Sequence, residues 1–136
     1  MNSIRVGNGY DVHQLKENLP FILGGVNIKY TKGIVAHSDG DVLLHAISDA
    51  LLGAASLGDI GHFFPDTDQK YKDIDSKLIL RKVCDELNQL SFSIINVDVT
   101  VVLEKPKLQP YINTIKESVA HLLRIPLDHT NIKATT

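Results

Sequence analysis

Three side chains that can bind a metal ion occur in two short stretches of this sequence. Asp11 and His13 stand two residues apart in GYDVHQL, and residues i and i+2 of an extended strand point to the same face. One carboxylate and one imidazole could therefore hold a cation from one side. His45 lies in a predicted helix and could supply the third ligand, because one aspartate and two histidines with an open position suit catalytic zinc. The alternative is a helix histidine that only hydrogen-bonds an aspartate.

The predicted helix also places two carboxylates beside His45. Asp41 and Asp49 lie four residues before and four residues after it, so all three side chains share one face of the helix. Either aspartate could orient the imidazole from behind, as the outer partners of metal-binding histidines do.

The segment AHSDGD at residues 36–41 could bind an anion at the start of this helix. Ser38 is the predicted N-cap, and Asp41 three residues later is a partner of the capping-box kind. Amides exposed at a helix start attract anions, and His37 could contact a phosphate oxygen there. For Ser38 the alternative is capping alone.

Three further polar segments could contact a ligand, and each also has a plain structural explanation. GDIGHFFPDTD at 58–68 has glycines for close backbone approach and several carboxylates, but polar loops often look like this. Lys105 and Lys107 in LEKPKLQP could contact phosphates or form a solvated turn, and KATT at 133–136 offers hydroxyl donors. The nucleophile motif G-x-S-x-G and the common phosphate-binding glycine loops are absent from the sequence.

Composition excludes several classes of protein. The chain has 136 residues, of which 43% are apolar, which fits one domain with a real core. A net charge of −2 argues against a nucleic-acid partner held by bulk charge. Cys84 is the single cysteine, so an internal disulfide is impossible. No apolar run approaches the length of a membrane span, and we expect a cytoplasmic protein with no membrane partner.

Hydrophobic periodicity predicts an α+β domain with two layers. We predict strands at 3–7, 20–28, 92–105 and 131–136, and the second of these contains a bulge or tight turn at Gly24-Gly25. We also predict helices at 38–58, 76–90 and 111–124, a polar connection at 29–33 and a long loop at 59–75.

Six motifs of the sequence resemble one enzyme family. GNGYDVH, GGVNI, AHSDGDVLLHAISDALLGAASLGDIGHFFPDTD, YKDIDS, NVDVTVVLEKPKLQPYI and NIKATT are similar, in order and spacing, to the 2-C-methyl-D-erythritol 2,4-cyclodiphosphate synthases of the non-mevalonate isoprenoid pathway. The resemblance implies one domain over 1–136, a two-layer sandwich of a mixed sheet with helices on one face, and a homotrimer with active sites between subunits. The implied reaction converts 4-diphosphocytidyl-2-C-methyl-D-erythritol 2-phosphate to the cyclodiphosphate and CMP by intramolecular phosphoryl transfer.

The resemblance also implies roles for individual residues. Asp11, His13 and His45 would bind Zn²⁺ or another divalent cation, and a second Mg²⁺ or Mn²⁺ would accompany the substrate diphosphate. His37 and Thr136 would stabilise the transition state. Ser38 and the positions from 59 to 68 would contact sugar and erythritol hydroxyls, and 103–109 with 134–136 would form the cytidine pocket. The implied substrate-binding residues are Asp11, His13, His37, Ser38, Asp59, Ile60, Gly61, Phe64, Pro65, Asp66, Thr67, Asp68, Leu103, Glu104, Lys105, Pro106, Lys107, Leu108, Gln109, Ala134, Thr135 and Thr136.

Members of this family normally continue beyond KATT. The usual continuation carries a glutamate that binds the second cation, a Gly-Phe-Gly stretch, an arginine and a last strand, so the resemblance predicts a longer chain than these 136 residues. Two other functions remain open at this point. A metal-dependent phosphohydrolase could use the same three ligands with a water nucleophile, and a trimer that only binds nucleotides or isoprenoids would show no turnover.

Overall fold

Helices carry most of the regular structure in residues 3–136, the part of the chain that the computed structural model describes. The helices are α1 (Val42–Ala54), α2 (Ile60–Phe63), α3 (Ser76–Gln89) and α4 (Ile112–Leu123), with short 3₁₀ turns at Gln69–Tyr71, Gln109–Tyr111 and Leu127–His129. The strands are β1 (Leu15–Glu17), β2 (Ile22–Leu23), β3 (Val26–Asn27), β4 (Lys32–Ile34), β5 (Val97–Val102) and β6 (Thr130–Thr135). The mixed α+β class predicted from the sequence is confirmed.

The strands of the described residues pair two by two. β1 and β4 are antiparallel, β2 and β3 form an antiparallel hairpin, and β5 and β6 are parallel. The hairpin turns at Gly24 and Gly25, whose φ angles of 60° and 77° lie in the region that glycine tolerates best. The single mixed sheet that we expected is therefore replaced by three two-stranded sheets, because the first four strands are only two or three residues long and each pairs with one neighbour.

The first predicted strand, at residues 3–7, is wrong. This segment forms no ladder, and Ile4 and Val6 are 80% and 90% exposed. Its backbone lies instead against helix α1, where a Cβ on Gly7 would stand 1.8 Å from the carbonyl oxygen of Ala50. Alternating apolar residues therefore mark an extended segment packed on a helix here, and not a strand within a sheet.

Helix α1 begins later than the sequence indicated. The N-cap is Asp41, whose carboxylate accepts a hydrogen bond from the Leu44 amide at 3.1 Å, so the predicted capping by Ser38 is wrong. Gly40, with φ of 75°, turns the chain just before the helix, and the Ser38 hydroxyl accepts from the Gly40 amide at 3.2 Å. Ser38 is thus left outside the helix, beside its first turn.

The hydrophobic core lies where α1, α3 and α4 pack on one another and on the β5–β6 pair. Leu44, Leu80 and Ile115 supply one fully buried side chain from each of these helices. The apolar residues buried along α3 are Ile79, Leu80, Val83 and Leu87, whereas Leu90 follows the helix and is 49% exposed. None of the helices within residues 3–136 is both long enough and apolar enough to cross a bilayer.

Two connections contain more structure than the sequence predicted. The loop at 59–75 includes α2 and the turn Gln69–Tyr71, and the polar connection at 29–33 ends in β4. In both places an element of three or four residues is set by tertiary contacts, and such a short element carries no periodicity that a sequence could show.

Candidate metal centre

Asp11, His13 and His45 come together as one cluster. Each residue offers one ligand atom, and these atoms all lie within 4.8 Å of one another. Asp11 Oδ2 stands 2.9 Å from His13 Nε2 and 3.1 Å from His45 Nδ1. Asp11 and His13 belong to the extended segment before β1, and His45 lies in the first turn of α1. The sequence prediction that these three residues share one site is consistent with this placement.

A close backbone contact brings the segment to the helix. A Cβ on Gly9 would lie 1.7 Å from the carbonyl oxygen of Ala46 and 2.9 Å from the amide nitrogen of Ala50. No side chain fits in that space, so only glycine lets the segment run directly on the backbone of α1. The chain reaches Asp11 two residues later, next to the ring of His45.

The cluster fits a cation because one of its buried nitrogens has no partner. His13 Nε2 is close to Asp11 Oδ2 but lacks the alignment of a hydrogen bond, and it has no other partner in the described residues. A buried polar atom without a partner is unusual and costly in proteins. A cation between the ring nitrogens and the carboxylate would satisfy all three groups, and a donor set of two imidazoles and one carboxylate suits zinc and similar divalent ions.

The electrostatics of Asp11 also favour a charged carboxylate. Partial burial alone would raise the pKa of Asp11, but the hydrogen bond from His45 and the charges of His13 and His45 lower it further than burial raises it. The net result is an Asp11 pKa below the usual value, which keeps the oxygen ligand ionised at neutral pH.

The far side of the His45 ring contacts serines. His45 Nε2 lies 2.8 Å from Ser76 Oγ and 3.2 Å from Ser38 Oγ. Ser76 in turn donates its hydroxyl hydrogen to Asp39 Oδ1, and its backbone amide donates to Asp39 Oδ2 at 2.9 Å. Ser76 lies 31 residues from His45 and resembles, in the sequence, an ordinary residue at a helix start, so no local pattern identifies it.

The two aspartates predicted to orient His45 accept hydrogen bonds from backbone amides of other elements. Asp41 is fully buried and accepts from the amides of Gly24 at 2.9 Å and Gly25 at 2.7 Å, so it joins α1 to the β2–β3 hairpin. Burial raises the pKa of Asp41 to about 6. Asp49 accepts from the Ile60 amide at 2.8 Å and so holds the start of α2 against α1. Partial burial also raises the pKa of Asp49.

The residues expected to stabilise a transition state stand apart from this hydrogen-bond network. His37 Nε2 is buried without a partner, and the His37 carbonyl accepts from the Asp73 amide at 2.8 Å. Thr136 is exposed after the end of β6. Within residues 3–136 no hydrogen bond links either residue to the three candidate ligands. His37 therefore offers a free imidazole nitrogen, and the catalytic roles of both residues stay predictions.

The predicted contacts at 59–68 lie on α2 and the loop that follows it. Asp59 caps α2 by accepting from the His62 amide at 3.0 Å. Phe64 is buried, with its ring 5.2 Å from that of Tyr71. Residues 65–67 are exposed, and Asp68 caps the next turn by accepting from the Lys70 amide at 3.1 Å. The loop therefore offers a ligand mainly exposed polar groups and backbone.

The two halves of the predicted cytidine pocket are neighbours. In the parallel pair β5–β6, Val102 stands opposite Thr135, and the Leu103 amide donates to the Thr135 carbonyl at 2.9 Å. Segments 103–109 and 134–136 thus leave the sheet side by side at the carboxyl ends of parallel strands, where ligands commonly bind. Leu108 is buried in the core, so its side chain anchors segment 103–109 to the core.

A cluster of one carboxylate and two imidazoles, carried on a small α+β domain, defines a candidate divalent-metal centre. A model of the YgbB family matches residues 4–136, and the chain belongs to this family.

Known proteins similar to this chain are named as one kind of enzyme. The 2-C-methyl-D-erythritol 2,4-cyclodiphosphate synthase of Clostridium perfringens is 56% identical over 133 residues, which cover 98% of this chain and 85% of the relative. A solved 2C-methyl-D-erythritol-2,4-cyclodiphosphate synthase in a CDP-bound form superposes with a TM-score of 0.91 at 37% identity, over 96% of this chain and 87% of that one. The IspF of Plasmodium falciparum, in complex with CDP, gives a TM-score of 0.85 at 33% identity over 100% of this chain and 83% of its own.

Proposed function

We propose that the protein is a metal-dependent cyclodiphosphate synthase. It converts 4-diphosphocytidyl-2-C-methyl-D-erythritol 2-phosphate to 2-C-methyl-D-erythritol 2,4-cyclodiphosphate and CMP. The observation that carries this proposal is the cluster of Asp11, His13 and His45 in a chain 56% identical to a synthase of that name. The expected place of the enzyme is the non-mevalonate isoprenoid pathway, in the cytoplasm.

The reaction needs positioning more than covalent chemistry. An oxygen of the 2-phosphate attacks the β-phosphorus, a new phosphorus–oxygen bond closes the ring, and the bond from the β-phosphorus to the bridging oxygen breaks. CMP leaves with that oxygen. Because nucleophile and leaving group belong to one molecule, the protein contributes mainly by holding them in line and neutralising charge.

Asp11, His13 and His45 would hold the divalent cation, with Zn²⁺ favoured by the two imidazoles. When bound, such an ion supplies Lewis-acid polarisation of a phosphoryl oxygen. The unpartnered His37 Nε2 is suited to donate a hydrogen bond to a phosphate oxygen, and the hydroxyl of Thr136 is the second donor. A second Mg²⁺ or Mn²⁺ would accompany the diphosphate.

The remaining predicted residues would select the substrate. Ser38 and the exposed parts of 59–68 would contact the erythritol and sugar hydroxyls, and the adjoining segments 103–109 and 134–136 would hold the cytidine. Support for the last pair comes from the hydrogen bond between Leu103 and Thr135, which places these segments next to each other. We also propose a homotrimer with active sites between subunits.

Product analysis tests the reaction directly. The full chain is incubated with substrate, Zn²⁺ and Mg²⁺, and phosphorus NMR follows the products. The synthase gives CMP and the cyclic diphosphate in equal amounts. A linear phosphate product would establish a phosphohydrolase in its place, and ligand binding without any turnover would establish a binding protein.

A metal analysis of one variant tests the ligand set. His45→Ala is expected to lose bound zinc and activity together, because it removes one of three ligands. His121→Ala is the matched control, since His121 is an exposed histidine on α4. Unchanged zinc content in folded His45→Ala protein would remove His45 from the ligand set.

A further inference from the structure

The ring of His45 has a metal-facing side and a buried side, and the buried side is held by a serine that no sequence pattern assigned. Nδ1 faces Asp11 at 3.1 Å, and Nε2 faces Ser76 Oγ at 2.8 Å. His45 is 6% exposed and Ser76 is completely buried, so no solvent water competes for this contact.

The hydrogen-bond directions in this contact follow from which of the groups can donate a hydrogen. A carboxylate is an acceptor only, and a hydroxyl has a single hydrogen to donate. Ser76 Oγ contacts Asp39 Oδ1, so the hydroxyl hydrogen of Ser76 goes to Asp39. Toward His45 the Ser76 oxygen can then act only as an acceptor, which requires a ring hydrogen on Nε2.

With a hydrogen held on Nε2, Nδ1 is the nitrogen left to bind a metal, and it lies on the Asp11 side of the ring. A histidine binds a metal through the nitrogen without a hydrogen, and the partner of the other nitrogen decides which one that is. We propose that Ser76, oriented by Asp39, is a positioning residue that fixes the tautomer and ring orientation of His45 for metal binding through Nδ1. This inference rests on the metal-binding role proposed for His45.

Asp39 is itself held in place, so it can impose this direction. Its Oδ2 accepts from the Ser76 amide at 2.9 Å, its Oδ1 accepts from the Asp41 amide at 3.1 Å, and its own amide donates to the Ile74 carbonyl at 3.2 Å. These bonds tie the segment before α1 to the start of α3. Asp39, Ser76 and His45 thus form a chain of hydrogen bonds that crosses two elements and ends at the metal site.

Ser38 is a weaker partner for the same ring nitrogen. Its Oγ is farther from His45 Nε2, at 3.2 Å, and accepts from the Gly40 amide. No carboxylate takes its hydroxyl hydrogen in the described residues, so Ser38 can act as either donor or acceptor and does not fix the tautomer. The geometry therefore favours Ser76 over Ser38 as the orienting group.

Metal affinity of a variant pair tests the inference without any turnover assay. Ser76→Ala is expected to bind Zn²⁺ about 10–100-fold more weakly in a chelator competition, the usual effect of losing an outer partner of a ligating histidine. Ser48→Ala is the matched control. Ser48 is equally buried and lies three residues from His45 on α1, but its hydroxyl donates to the Leu44 carbonyl at 2.8 Å and not to the site. Equal affinity of Ser76→Ala and wild type would overturn the proposal.

Nitrogen NMR of the imidazoles supplies a second test that does not depend on the folding of Ser76→Ala. In wild-type protein loaded with Zn²⁺, His45 is expected to carry its hydrogen on Nε2 and to bind the metal through Nδ1. Asp39→Asn keeps the shape but lets an amide donate to Ser76, which frees the serine hydrogen to point at His45. A share of the His45 rings is then expected to lose the hydrogen from Nε2. Zinc-loaded wild type with the His45 hydrogen on Nδ1 would overturn the proposal.

The two proposals can fail separately. If wild-type protein binds no divalent cation, the metal centre of the proposed function is wrong. If wild type binds Zn²⁺ and Ser76→Ala binds it equally well, the centre stands and only the role of Ser76 is refuted.

Discussion

Replacing Gly9 by alanine should displace Asp11 from the metal centre. A Cβ at this position would stand 1.7 Å from the Ala46 carbonyl oxygen and 2.9 Å from the Ala50 amide nitrogen. Both atoms belong to the backbone of α1 and are fixed by the helix. The helix cannot make room without breaking its own hydrogen bonds, so the segment at residues 7–13 has to move.

The required movement is large on the scale of metal coordination. Carbon and oxygen atoms that are not bonded approach to about 3.3 Å, and the Gly9 contact is 1.7 Å, so the segment must retreat by roughly 1.6 Å. Ligand distances in metal sites hold to within about 0.2 Å. Asp11 is only two residues away and cannot absorb the whole shift. We expect Zn²⁺ to bind at least about tenfold more weakly, or ~1.4 kcal/mol.

A chelator competition with Zn²⁺ measures this loss, and Gly53→Ala is the matched control. Gly53 lies in α1 near the same segment, but the nearest atom to its Cβ would be the Asn8 carbonyl oxygen at 4.0 Å. Alanine there should keep metal affinity and add roughly 0.5–1 kcal/mol of helix stability. Wild-type affinity in folded Gly9→Ala protein would refute the view that this glycine positions Asp11.

Three further predictions concern stability and reactivity. Burial raises the pKa of Asp41 from 3.8 to about 6, so the folded protein holds this proton more tightly than the unfolded chain. The Asp41 contribution to the free energy of unfolding should then fall by about 3 kcal/mol as the pH rises from about 3 to about 7, and parallel pH curves for wild type and Asp41→Asn would contradict this. Burial raises the pKa of the Cys84 thiol from 9.0 to about 11, so iodoacetamide should modify it about 100-fold more slowly than a free thiol at the same pH, as followed by mass spectrometry. Leu80→Ala should lower the urea unfolding free energy by about 2–5 kcal/mol, because Leu80 is completely buried. Leu78→Ala on the same helix, where the side chain is 46% exposed, should have a much smaller effect, and equal losses would contradict the assigned core.

Sequence periodicity predicted the long elements because each one buries a face along its whole length. Helices α3 and α4 and the strands β5 and β6 follow this rule. Periodicity does not predict β1 and β4, because each strand has only three residues and forms by pairing with the other, a segment elsewhere in the chain. It also fails at residues 3–7, where the alternating side chains of Ile4 and Val6 are exposed and the contact with α1 is made by the backbone at Gly7.

The three candidate ligands could be predicted from the sequence, but the residues that hold them in place could not. The pattern Asp-x-His and one helix histidine were enough to suggest a shared cation. The orienting role given to Asp41 and Asp49 was wrong because neighbours one turn away on a helix are free to turn elsewhere, and here Asp41 turns to the β2–β3 hairpin and Asp49 to α2. The contact from Ser76 depends on how α3 packs against α1, which no local pattern contains.

Helix α1 contacts every part of the candidate metal centre. One face of it carries His45, its backbone supports the segment with Asp11 and His13, and its N-terminal turn lies next to the Asp39–Ser76 pair. The Asp11 side and the His45 side of the site are therefore positioned by different contacts. Close backbone contact at Gly9 sets where the carboxylate stands, and the hydrogen-bond direction at Ser76 sets which nitrogen His45 presents. Because Asp11 and His45 are themselves in contact at 3.1 Å, the losses of metal affinity in Gly9→Ala and Ser76→Ala should not add in the double variant. Strictly additive losses would show that the segment and the His45 ring are positioned independently.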